Sequence, residues 1–199
     1  MTSLKKLFSG GSDGNKQLTA IVGTLLLVVL AIEGATLLNL RSLLTAHAFI
    51  RMLLIPIVAL KLGSTGWRML RYYRRGDEDV RRGPPHVVLR VLVAPVMVAS
   101  ALVLLASGVV LLALDETHGA IVGLHKASFV VWLGATSLHV LTRVVNLLPI
   151  LRRRLAGTGL RLGLVGATLG AGLLLGALTL PAADHLQDNV SGSVGVDTG

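Results

Sequence analysis

Leu124 to Leu148, LHKASFVVWLGATSLHVLTRVVNLL, constrains this chain more than any other stretch. It is apolar and long enough to cross a bilayer, yet it carries two histidines. His125 and His139 stand 14 residues apart. That is almost four helical turns, so both rings leave one helix face about 21 Å apart along the axis. An ionisable side chain inside a membrane span is costly, which makes each a candidate for function. Two on one face predict two levels stacked across the membrane.

Four further apolar runs accompany it. Span one covers about Gln17–Leu38, span two Ser42–Leu62, span three His86–Leu114 and span five Leu160–Leu180. With 53% hydrophobic and 15% charged residues, the chain is too apolar for a soluble domain of its length. The fold class expected is therefore an all-α integral membrane protein with five transmembrane helices. Lys5, Lys6 and Lys16 before span one imitate a signal peptide, but the run is longer than an h-region and is taken as a retained span. Residues 1–16 read as a cytoplasmic disordered tail, 17–180 as the transmembrane domain and 181–199 as a flexible extracytoplasmic tail, with span five stopping at Pro181. Pro95 is placed to kink span three. Span five carries Gly166, Gly170, Gly172 and Gly176 in small-xxx-small steps and no internal acid, base or histidine. It reads as a peripheral helix whose glycines serve packing.

The net charge of +9 raises nucleic acid as a partner, but the placement of the charges explains it otherwise. Fourteen lysines and arginines fall in the N-terminal tail and in the loops after spans two and four. On the other side stand two, Arg41 and Lys126. This bias orients the chain with its N-terminus in the cytoplasm and its C-terminus outside, in a cytoplasmic membrane of bacterial type. The lipid bilayer is then the partner, and no nucleic acid is needed. The absence of cysteine excludes thiolate metal sites and covalent c-type haem attachment.

Spans two and four run in the same direction, so depths can be compared. His47 and His125 both lie in the outer half. A histidine pair across two helices suits bis-imidazole ligation of haem iron, which favours electron transfer over oxygen binding. Fourteen residues further in on each helix stand Lys61 and His139, a second, inner level. Glu33 lies at the depth of Arg51, and an ion pair between them is the plain reading.

The stretches HAFIRMLLIPIVALKL and HKASFVVWLGATSLHV resemble the bacterial di-haem b-type cytochromes. That superfamily includes the membrane subunits of nickel-iron hydrogenases and formate dehydrogenases. The chain is also similar to membrane domains attached to some actinobacterial molybdopterin oxidoreductases. The resemblance covers roughly residues 42–148. It implies a four-helix haem-binding core that passes electrons between a quinone and an extracytoplasmic redox protein or oxidoreductase subunit. By position, His47 and His125 would ligate an outer haem b, and His139 would be an inner ligand. One haem is expected, with two as the alternative. Where such families often carry glycine four residues after the ligand, this chain has Arg51, which would either clamp a haem propionate or block the pocket. Lys61 stands where an inner histidine would complete a pair, as ligand, propionate partner or quinone contact. The chain offers no nucleophile, P-loop or catalytic metal cluster, so enzymatic activity would belong to a complex. The competing readings are a haem-free transporter lined by Glu33, His47, Arg51, Lys61 and His139, and a membrane scaffold whose histidines only hydrogen-bond.

Overall fold

A computed structural model describes residues 11–73, 92–143 and 157–195 of the chain. The helices are α1 (Gly11–Thr36), α2 (Leu44–Tyr73), α3 (Ala94–Leu114), α4 (Ala120–Arg143) and α5 (Thr158–Gly195), with a 3-10 turn over Leu37–Asn39. All five are long and apolar enough to cross a membrane, and the protein is an all-α multi-pass membrane protein. Helices are the solution hydrocarbon demands, because each satisfies its own backbone N–H and C=O groups. The basic segments 74–91 and 144–156, including His86, and the first ten residues lie outside the described residues.

α2 is the central element. Leu53, Leu54 and Ile57 on it are buried against Leu18, Val22 and Val29 of α1, with Leu164, Val165 and Leu169 of α5 packed beside them. Ala48 and Met52 of α2 join Leu112 of α3 and Ala183 and Leu186 of α5 in a second cluster. α1, α2 and α5 thus form a trio, while α3 and α4 pair as a hairpin. The hairpin meets the trio over a much smaller contact, chiefly through α3. The turn between α3 and α4 is set by Asp115 in the left-handed region (φ 54°), whose N–H closes on the Leu111 carbonyl.

This arrangement corrects the expectation of a peripheral fifth helix around a four-helix core. α5 lies along α2 more extensively than any other helix pair in the described residues. The cause is in its glycines. A Cβ on Gly172 would lie 2.6 Å from the Leu53 carbonyl oxygen, and one on Gly176 would lie 2.8 Å from the Phe49 ring. Two backbones approach that closely only where a side chain is missing. Gly166 and Gly170 face open space and do not share this role.

Two helix ends also differ from expectation. α1 begins at Gly11, inside the segment read as a disordered tail. α5 does not stop at Pro181 but runs on to Gly195, through the segment read as a flexible tail. That extension is held by burial and by polar clasps. Ala183 and Leu186 are buried. Gln187 Oε1 accepts the Thr45 N–H at 3.2 Å, filling one of the orphan donors at the start of α2. The Thr45 hydroxyl donates to Asp184 Oδ1 at 3.0 Å, Gln187 Nε2 donates to the Arg41 carbonyl, and Asn189 Nδ2 donates to Asp115. Pro95, read as a possible kink, occupies the first turn of α3 directly after the π-helical residues 92 and 93.

The glycine assignment has a direct check. Gly172→Ala should lower stability by about 1–3 kcal/mol through overpacking. Gly170→Ala, two residues away, should stay within about 0.5 kcal/mol of the parent. Thermal unfolding in one detergent reads the difference, and equal losses would remove the close-approach explanation.

Candidate functional site

The site is assembled by α1, α2, α3 and α4 around one guanidinium. Arg51 and His47 are one helical turn apart on α2 and share a face. Arg51 Nη2 lies 3.1 Å from His47 Nε2 and 2.6 Å from His125 Nε2. The two histidines expected at one depth are therefore brought together across α2 and α4, with Arg51 between them.

Every proton in this network can be placed. A guanidinium has donors only, so both Nε2 atoms accept from it and each ring carries its hydrogen on Nδ1. His47 Nδ1 lies 2.9 Å from Thr36 Oγ1 and 3.1 Å from Glu33 Oε1. The Thr36 hydroxyl spends its own hydrogen on the Glu33 carbonyl at 2.6 Å, so it accepts from the imidazole. His125 Nδ1 lies 2.8 Å from Ser107 Oγ, and that hydroxyl donates to the Leu104 carbonyl at 3.1 Å. Each ring is thus held on its outer nitrogen by an acceptor from a neighbouring helix, and both inner lone pairs aim at one point. Convergent imidazole nitrogens with fixed tautomers are what a pair of metal ligands requires, and also what a buried cation requires.

The charges balance by a different route from the one expected. The carboxyl group of Glu33 contacts His47 rather than Arg51, so the acid and the guanidinium face each other through the imidazole ring. Glu33 Oε2 is buried and has no hydrogen-bond partner among the described residues. Opposite, Gly108 leaves the space that the guanidinium occupies, since a Cβ there would collide with Arg51.

Lys61 and His139 are not brought together. Lys61 turns to α1, donates from Nζ to the Thr19 carbonyl at 2.7 Å and lies close over Gly23. It belongs to a polar belt at the far end of the trio. There Asn15 Nδ2 donates to the Ser64 carbonyl at 3.0 Å, and the buried Arg161 donates to Gln17 Oε1 at 2.9 Å. His139 sits half-buried on α4, and its carbonyl accepts the Thr142 hydroxyl.

Sequence reasoning missed Thr36, Ser107 and Gly108. Thr36 follows Glu33 by three residues and so shares its face. Ser107 stands eight residues before the α3–α4 turn and His125 six residues after Gly119, which places them at matching depth in the hairpin. Counting depth from a turn was the available signal.

If Glu33 and Arg51 balance each other through His47, their losses should couple. Glu33→Gln and Arg51→Gln should each destabilise, and the double variant should cost less than the two together by about 1 kcal/mol or more. A thermal double-mutant cycle measures this, and simple additivity would contradict the linkage.

Comparison with protein-family models, with curated proteins and with solved structures finds no match to this chain.

Proposed function

We propose that this protein is a membrane b-type cytochrome that passes electrons between a quinone pool and a redox partner, with His47 and His125 as the axial ligands of one haem b. The observation that supports this most is the aim of the two Nε2 lone pairs at one point from different helices. The donor set also fits. Two neutral imidazoles leave no open coordination position, which suits electron transfer.

The bound haem would supply reversible one-electron chemistry. The chain's own residues do the rest. Thr36 and Glu33 fix the His47 ring, and Ser107 fixes the His125 ring, which orients both ligands and raises their basicity. The charge bias of the loops supports a cytoplasmic N-terminus in a bacterial-type membrane, with the imidazole pair toward the outer face and an extracytoplasmic partner.

A second reading is favoured by Arg51. Because its guanidinium already satisfies both Nε2 atoms, the same network also serves a haem-free transporter or scaffold subunit whose spans are locked by buried polar contacts. The visible spectrum decides between them. Protein purified from haem-replete cells should show a sharp b-type α-band on reduction, with about one haem per chain, and lose it in His47→Ala and in His125→Ala. A colourless parent protein would overturn the cytochrome reading and leave the polar network as its alternative.

A further inference from the structure

We infer that Arg51 is a displaceable resident of the imidazole pair, a guanidinium that holds the axial position closed until haem takes it. This rests on the cytochrome reading above.

Four observations meet on it. First, one atom, Arg51 Nη2, lies within 3.1 Å of both Nε2 atoms, so guanidinium and iron compete for the same two lone pairs. Second, α3 provides a seat for the guanidinium at Gly108, where a side chain would collide with it. Third, Glu33 contacts His47 on the opposite side of the ring and places an acidic group behind whatever cation occupies the pair. Ferric haem iron in its porphyrin carries net positive charge at that point, as the guanidinium does. Fourth, the hairpin carrying His125 and Gly108 meets the trio over a small contact, so the guanidinium can leave without opening an extensive core.

Arg51 leaves on a long flexible stem one turn from His47. Closure lowers the fraction of protein able to bind and weakens the apparent affinity by that fraction. Two charge-assisted hydrogen bonds hold the closed position, so the effect is on the order of 10-fold or more.

The test uses full-length protein from haem-deficient cells, titrated in detergent with ferric protoporphyrin IX and followed by the low-spin visible spectrum. The parent, Arg51→Gly and the double variant Glu33→Gln/Arg51→Gly are compared. The double variant avoids an uncompensated carboxylate if the single one folds poorly. Tighter binding by about 10-fold or more in the arginine variants supports the inference. Binding that is equal or weaker, with a spectrum still dependent on His47 and His125, overturns it while the cytochrome reading stands. No histidine-dependent spectrum in any of the proteins overturns both. A second readout needs no bound haem. Nitrogen-15 spectra of histidine in the haem-free parent should show both rings protonated on Nδ1, with Nε2 accepting. Rings protonated on Nε2 would overturn the inference.

Discussion

The bridge from Arg51 to two imidazoles is the interaction on which the site's other contacts depend. A guanidinium keeps its charge and can only donate. Buried inside the bundle, it needs acceptors with free lone pairs and an anion nearby. His47 and His125 provide the lone pairs, but only in one tautomer, and that tautomer needs an acceptor behind each ring. Thr36 and Glu33 on α1 and Ser107 on α3 meet that need. A single cation on α2 thereby fixes the side chains that three other helices must bring to its depth. It also joins α4 to the trio, which the hairpin otherwise touches sparingly.

The helical class and the meeting of His47 with His125 were legible in the sequence, because both follow from counting. Apolar length sets the spans, and distance from the turns sets the depth. The direction of a side chain around its helix was not legible. Lys61 shares a face with His47 only to the extent that fourteen residues make whole turns, and its long stem instead reaches the Thr19 carbonyl on α1. The role of α5 was hidden for a related reason. An apolar run with no internal ionisable group looks idle, yet the absence of side chains at Gly172 and Gly176 is what draws α5 against α2. Beyond Pro181 the polar composition masks a sparse burial pattern, Ala183 and Leu186, that is enough to keep the chain helical.

Hydroxyls separate into two groups in this protein. Ser100, Thr168 and Thr179 bond carbonyls of their own helices, the usual resting state of such side chains in a span. Thr36 and Ser107 do the same with their hydrogens, but turn their oxygen lone pairs to an imidazole. The apolar residues face the other way. Leu38, Val130 and Leu141 are 90%, 68% and 74% exposed, as befits surfaces whose solvent is hydrocarbon. In water such exposure would mark a sticky patch, whereas in lipid it is the neutral state.

The contact of α5 with α2 has a consequence for the order of assembly. Synthesis runs from the N-terminus, so α2 enters the membrane well before α5 is made. Until then the α2 surface around Phe49, Leu53 and Pro56 has only lipid or an insertion factor against it. The start of α2 likewise waits for Gln187 to receive the Thr45 N–H. The helix bearing His47 and Arg51 is therefore held in its final place by a span made well after it, and the imidazole site cannot mature before α5 arrives.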